Sequence, residues 1–227
     1  MPAKCGSAIV GDGGSRPRLA QRRLVGGDGE PQVFCADEQS AIPIDLPRWQ
    51  RLAEQCLHTL GVRGLAELSV LYVGTTEITE LNQTYLEGTG PTDVLSFPID
   101  VDAHLDDTTF VDVVADARGP SRGPDRAPAD LDDMPLMLGD VVICPEVAAA
   151  QAPTHAGTLD DELALLLVHG ILHVLGHDHA EPAEALQMRT LERELLEAHH
   201  WNGPAPAGFR HTHPDDPDGV EPPTEAS

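Results

Sequence analysis

The sequence predicts an α+β fold, or mixed α/β fold, in which helices pack on one small sheet. Short apolar runs rich in β-branched residues, which are typical of strands, alternate with segments whose apolar residues recur at helical spacing. The order is strand, helix, strand, helix, strand, strand and then three helices. Runs of both types around one sheet indicate a mixed domain of this class.

The first half of the domain is predicted to supply two strands and two helices. Residues 32–35 form a strand candidate, and a helix with Pro47 in its first turn follows. Residues 67–73 are too apolar to be exposed on both faces of a strand. Thr75 or Thr76 is expected to cap the next helix, on which three residues share an apolar face: Ile78, Leu81 and Tyr85.

The second half is predicted to begin with two strands, at residues 94–97 and 138–144. A helix over residues 145–152 follows, and Thr158 then caps a strongly apolar helix. The last helix begins at Pro182, and its apolar positions are Leu186, Met188, Leu191, Leu195 and Leu196.

Composition separates this domain, residues 31–201, from three segments without periodicity. Residues 1–30 are predicted to be a disordered extension, and residues 202–227 a disordered tail. Residues 100–134, acidic and then rich in Arg, Gly and Pro, are predicted to be a flexible insertion. The formal net charge of −24 argues against indiscriminate nucleic-acid binding, but many of the acids lie in this insertion. Four cysteines without a C-x-x-C pattern, with no secretory signal and no long apolar run, predict a cytoplasmic protein without a membrane span.

The apolar helix carries a histidine pattern that predicts a metal site. His169 and His173 are four residues apart, so they project from one helix face, which suits two imidazoles binding one ion. Gly176 is a natural helix stop, after which His177 or His179 can return as a third ligand. Three protein ligands leave a fourth position for water, as in catalytic zinc sites. The alternative, hydrogen-bonded core histidines, is disfavoured because the segment is too apolar to bury unpartnered imidazoles.

Two neighbouring residues bear on the chemistry of this site. Gly170 occupies the position at which H-E-x-x-H metalloproteases carry their general base, which argues against a peptidase. Asp178 has two open roles, orienting a ligand through a hydrogen bond or stabilising the turn.

Three motifs carry a resemblance to a known family. Residues 169–179, HGILHVLGHDH, are similar to the H-G-x-L-H-x-x-G-x-D-H signature of the YbeY endoribonuclease / rRNA maturation factor family. Residues 91–98, PTDVLSFP, resemble its P-T-D-V-L-S-F-P segment, and residues 138–143, LGDVVI, resemble its L-G-D-I-x-I strand.

The resemblance implies a metal-dependent, single-strand-specific endoribonuclease that acts in ribosomal RNA processing, notably in 3′-end maturation of small-subunit RNA, and in ribosome quality control. It implies one Zn²⁺ per chain, bound by His169, His173 and His179, which are catalytic through the metal. It places His177 on the wall of the site. The expected partners are single-stranded ribosomal RNA, the small ribosomal subunit and its assembly factors.

Three residues of the PTDVLSFP segment are expected to line the cleft near the metal: Thr92, Asp93 and Ser96. Asp93 is an equally good turn or helix-cap residue. Many relatives carry an Arg directly after the Tyr that precedes this segment, whereas Leu86 follows Tyr85 here, so no guanidinium is available there to bind a phosphate. Arg193, in the last helix, fits a solvated helix face better than a substitute role.

Two other functions stay open. The first is a ribosome-assembly factor that binds RNA and holds a structural metal, since motif and fold would be the same. The second, disfavoured by Gly170, is a metallopeptidase. The attacking group, water or a ribose 2′-hydroxyl, is not specified, and the domain offers few basic side chains for phosphate contact, among them Arg48, Arg51 and Arg63.

Overall fold

The structure, a computed structural model, describes residues 29–99 and 135–211. Its strands are β1 (Gln32–Asp37), β2 (Ala66–Tyr72), β3 (Val94–Pro98) and β4 (Leu136–Ile143). Its helices are α1 (Leu46–Thr59), α2 (Thr75–Leu86), α3 (Pro145–Gln151), α4 (Leu159–Val174) and α5 (Pro182–His199), with a 3₁₀ turn (Ala152–Thr154) after α3. The predicted insertion and most of the predicted N-terminal extension lie outside the described residues.

The four strands form one mixed sheet in the order β1-β2-β4-β3. β2 runs parallel to both β1 and β4, whereas β3 runs antiparallel to β4, with Val94 opposite Ile143 and Pro98 opposite Gly139. Parallel neighbours need a long crossover, and α1 provides it between β1 and β2. The predicted mixed sheet with helices is confirmed.

Helices cover the two faces of the sheet unequally. The buried residues of β2 alternate along the strand and join the core formed with α1, α4 and α5. On the opposite face α2 packs through Ile78 against Leu95 and Val142. α4 is buried along nearly its whole length, so it is the central helix. Within the described residues, no helix has both the length and the apolar character needed to cross a bilayer.

Local sequence signals set the start of α4. The Thr158 hydroxyl accepts a hydrogen bond from the Asp161 N–H at 3.1 Å, which confirms the predicted cap. The carboxylate of Asp161 in turn accepts hydrogen bonds from the Trp201 indole at 2.6 Å and from His200 Nε2 at 2.9 Å. Burial tends to raise the pKa of Asp161, but the hydrogen bonds from Thr158, Trp201 and His200 outweigh it and lower that pKa. The start of α4 is therefore tied to the end of α5.

Two local predictions were wrong. Gly74, not a threonine, is the N-cap of α2, and glycine costs a cap only a few tenths of a kcal/mol relative to Ser or Thr. Tyr85 lies on α2 at helical spacing from Ile78 and Leu81, as predicted; it is half exposed, and its ring packs edge-on against Phe97 of the edge strand. Leu186, in the first turns of α5, is also exposed.

The folded domain extends past the boundary predicted at residue 201. In the C-terminal segment, residues 202–211, the Phe209 ring packs edge-on against Trp201 at 4.7 Å between centroids. The prediction of a disordered tail is therefore corrected for this segment, because one aromatic side chain anchors a stretch whose Pro and Gly content is typical of disorder. Residues 212–227 lie outside the described part of the chain.

Candidate metal centre

The three predicted ligands converge at the C-terminal end of α4. His169 and His173 are both buried and lie one turn apart. The helix ends at Val174, and Gly176 follows with a φ of +85°, a left-handed conformation that favours glycine. The Gly176 N–H donates to the His173 carbonyl. The reversed chain brings the His179 ring to 5.0 Å from the His173 ring and 5.6 Å from the His169 ring, between centroids.

The outer ring nitrogens of the two helical histidines both face hydrogen-bond acceptors. His169 Nδ1 lies 2.7 Å from the Glu192 carboxylate, and His173 Nδ1 lies 2.9 Å from the His177 carbonyl. Carbonyl and carboxylate oxygens only accept, so both Nδ1 atoms carry the proton. In the neutral form of each imidazole, with the proton on Nδ1, the Nε2 atom presents a lone pair.

The two Nε2 atoms lie 3.0 Å apart, an arrangement in which a pair of neutral imidazoles can share one cation. The third imidazole completes a set whose ligand atoms all lie within 4.8 Å of one another. Two nitrogens bound tetrahedrally to zinc would lie about 3.3 Å apart, given Zn–N bonds of about 2.0–2.1 Å. The residues His169, His173 and His179 thus fit a metal ion.

The protonation state of His173 suits metal binding. Burial, reinforced by the neighbouring imidazoles of His169 and His179, holds the pKa of His173 well below its usual range. His173 is therefore neutral at neutral pH, and a neutral imidazole is the form that binds metal.

Glu192 of α5 is the site residue that the sequence reasoning missed. Its side chain is buried, with one oxygen on His169 Nδ1 and the other 2.5 Å from His211 Nε2. Burial tends to raise the pKa of this carboxyl, but the hydrogen bonds from both histidines outweigh burial and lower the pKa well below its usual range. One signal was present: Glu192 lies at helical spacing within the buried stripe of α5, four residues after Met188 and three before Leu195.

The turn after α4 holds two further predicted residues, His177 and Asp178. His177 supports the centre through its backbone carbonyl, whereas its own half-buried ring is not in the candidate ligand set. Burial lowers the pKa of His177. Asp178 is exposed, and its carboxylate accepts the His179 N–H at 2.7 Å. Of the two roles open for Asp178, this contact favours stabilising the turn that carries His179.

The PTDVLSFP segment lies beneath the histidine helix. Thr92, Asp93 and Ser96 are all buried. The Ser96 hydroxyl donates to the Gly170 carbonyl at 3.3 Å, and the Thr92 hydroxyl donates to Asp93 at 3.1 Å. The expectation that they line the cleft stays a prediction; their contacts favour support of α4 from below.

A buried hydrogen-bond network ties this segment to the first turn of α4. The Gln151 amide nitrogen donates to Asp93 at 2.6 Å and to Glu162 at 2.9 Å. Glu162 also lies 2.8 Å from His155 Nδ1 and is fully buried. Asp93 and His155 line one small cavity of about 10 Å³ together with His169, Glu192 and His211. The network therefore borders the same cavity as the candidate ligand His169.

Gly170 owes its identity to packing. A Cβ built at this position would lie 2.5 Å from Val141 Cγ1 and 3.2 Å from the Ser96 hydroxyl. Val141 is fully buried and β-branched, so it has little freedom to move away. A side chain at position 170 would point toward β4. Because glycine has no side chain, α4 can approach the sheet closely.

We expect Gly170→Ala to lower the free energy of unfolding by about 1–3 kcal/mol, the usual cost of overpacking a core. Urea unfolding followed by circular dichroism measures this loss. Gly203→Ala is the matched control, because nothing lies within 4 Å of its built Cβ, and it should change stability by less than about 0.5 kcal/mol. Equal stability of the two variants would contradict the packing role of Gly170.

The basic residues considered for phosphate contact are mostly engaged elsewhere. Arg193 pairs with Glu197 at 3.0 Å on the exposed face of α5, as predicted for a solvated helix face. Arg48 pairs with Asp160 at 2.7 Å, and Arg63 donates to backbone carbonyls. Leu86, where the family resemblance led us to expect an Arg, packs with the apolar cluster under α2.

Comparisons with known proteins bear on the family to which the chain belongs. A family model described as Endoribonuclease YbeY matches residues 34–200. The chain is 44% identical over 158 residues to the Endoribonuclease YbeY of Salinispora tropica, covering 70% of this chain and 90% of the relative. The corresponding Thermobifida fusca protein is 42% identical over 158 residues, covering 70% and 88%. A solution structure from Thermotoga maritima aligns over 75% of this chain and 93% of that one, with 20% identity and a TM-score of 0.41.

The matched residues run from β1 through α5 and include the three histidines and Glu192. The family model spans most of the folded domain, and the relatives above 40% identity carry the same family name. The chain belongs to the Endoribonuclease YbeY family.

Proposed function

We propose that the protein is a zinc-dependent endoribonuclease that cleaves single-stranded RNA. The observation that carries this proposal is the pair of Nε2 atoms 3.0 Å apart on His169 and His173, joined by His179 in an all-imidazole set that could hold a metal ion. Three imidazoles with an open position are typical of catalytic rather than structural zinc. Membership of a family named for endoribonuclease activity supports RNA as the substrate.

The three histidines would hold one zinc ion per chain, which when bound supplies Lewis acidity toward a phosphate oxygen and lowers the pKa of water to about 7. The protein's own groups prepare the ligands. Glu192 keeps the proton on His169 Nδ1, and the His177 carbonyl keeps the proton on His173 Nδ1. Asp178 holds the turn from which His179 approaches.

The proposed biological setting is ribosomal RNA processing, notably at the 3′ end of small-subunit RNA, and ribosome quality control. The proposed partners are the small ribosomal subunit and its assembly factors, in the cytoplasm. Because Leu86 offers no guanidinium to the phosphate, we expect RNA to be bound more weakly than in relatives that carry Arg there.

The test is cleavage of one labelled RNA, presented as a single strand and as a duplex, by the zinc-loaded full-length protein. We expect cleavage of the single strand only, and a loss of at least about 100-fold in His173→Ala, because the ion loses a ligand. His58→Ala, an exposed histidine on α1, is the matched control and should cleave normally.

The products also report the nucleophile. Attack by the ribose 2′-hydroxyl leaves a 2′,3′-cyclic phosphate, whereas attack by water leaves a linear phosphate. Equal cleavage by wild type and His173→Ala would identify a contaminating nuclease and overturn the proposal. RNA binding without cleavage by the zinc-loaded protein would favour the assembly factor with a structural metal.

A further inference from the structure

We propose that His211 is a positioning residue of the metal centre, acting on His169 through Glu192. This inference rests on the proposed metal site. His211 Nε2 lies 2.5 Å from Glu192 Oε2, and Glu192 Oε1 lies 2.7 Å from His169 Nδ1. One carboxylate thus joins the C-terminal segment to a ligand whose other nitrogen faces the centre.

The buried position of Glu192 makes the second donor necessary. Its side chain is only 4% exposed, so water cannot replace a missing hydrogen bond at little cost. An ionised carboxylate accepts only, so His211 Nε2 donates. With a donor on each oxygen, the carboxylate is fixed in the orientation in which Oε1 meets His169.

The C-terminal segment is built to deliver this ring. Phe209 packs against both Trp201 and His211, at centroid distances of 4.7 and 5.7 Å. The Arg210 N–H donates to the His155 carbonyl at 3.2 Å, which fixes the backbone next to His211. Because the family model ends at residue 200, the family match covers Glu192 but not its partner His211.

Loss of this donor should weaken metal binding without removing a ligand. Replacing a direct hydrogen-bond partner of a metal ligand typically costs 10–100-fold in metal affinity. His211 acts one contact further away, so we expect the lower end, a loss of about tenfold. The Co²⁺-substituted protein should show shifted visible absorption bands, because the ring of His169 would be held less firmly.

The experiment compares three full-length variants by zinc competition with a chelator and by the Co²⁺ spectrum. His211→Phe keeps a ring for Phe209 to pack against but removes the donor, and should bind zinc about tenfold more weakly. His211→Gln keeps an N–H donor and should recover most of the affinity. Arg210→Ala, at an exposed neighbouring position, should match wild type.

A double-mutant cycle separates positioning from general stabilisation. In a Glu192→Ala background, His211→Phe should cause no further loss of zinc affinity, since the carboxylate it acts through is gone. Three results would each overturn the inference. The two losses could be additive, His211→Phe could bind zinc with wild-type affinity, or His211→Gln could fail to recover the zinc affinity. If one of these results occurred while the wild-type protein bound zinc normally, only the role of His211 would be overturned and the proposed function would stand. A wild-type protein that did not bind zinc would overturn both the role of His211 and the proposed function.

Discussion

His179→Ala is expected to lose its zinc, whereas His177→Ala is expected to keep it. The His179 ring belongs to the set of three whose ligand atoms lie within 4.8 Å of one another. His177 contributes its backbone carbonyl to His173, and alanine retains that carbonyl. Structural zinc sites contribute about 10–16 kcal/mol through four ligands, so one ligand is worth about 2.5–4 kcal/mol, or roughly 10²–10³ in affinity.

Zinc content by mass spectrometry after dialysis against a weak chelator measures this difference. Wild type and His177→Ala should hold about one ion per chain, and His179→Ala should hold almost none. The reverse result would make His177 the third ligand, the alternative that the spacing of the motif leaves open. Retention of zinc by both variants would show that neither residue is a ligand.

Gln151→Glu is expected to lower the free energy of unfolding by more than about 3 kcal/mol. This is the usual destabilisation when a buried charge loses its partner. One amide nitrogen now donates to two buried carboxylates, Asp93 at 2.6 Å and Glu162 at 2.9 Å. Glutamate would replace that donor with a third acceptor between two like charges. The PTDVLSFP segment would then lose its attachment to the first turn of α4.

Chemical unfolding of the metal-free protein measures this loss without a contribution from bound ion. Gln55→Glu makes the same change at an exposed position of α1 and should alter stability by less than about 0.5 kcal/mol. Gln151→Leu should fall between the two, because it removes the donor without adding a charge. A Gln151→Glu variant as stable as Gln55→Glu would contradict the shared-donor arrangement.

Local periodicity accounts for what the sequence predicted well. The order of strands and helices, the Thr158 cap and the shared face of His169 and His173 all depend on neighbours within one or two turns. His179 is different. The spacing of the motif made His177 and His179 equally good candidates for the third ligand, and only the family resemblance favoured His179. Its place as third ligand stays a prediction that the geometry supports.

The supporting contacts of the site could not be predicted, because they join residues far apart in sequence. Glu192 and His169 are 23 residues apart, and Gln151 and Asp93 are 58 apart. Such pairs depend on how α5 and α3 pack around α4, which hydrophobic periodicity alone does not specify. Gly170 shows a related limit: the motif suggested a missing catalytic base, whereas the structure shows a close approach of helix and sheet.

The pairing of β3 with β4 has a consequence for how this chain tolerates change. Pro98 lies opposite Gly139, and the Ile99 N–H donates to the Leu138 carbonyl, so the chain leaves the sheet and re-enters it at adjacent points. The pairing of β3 with β4 holds the two ends of the connection together. Each doubling of the length of such a connection adds only about 0.6 kcal/mol to the entropic cost of closing it. Ten acidic residues fall between Asp100 and Asp133, within that connection. The length and acidity of this connection can therefore change in evolution while the histidine helix and its supporting residues remain unchanged.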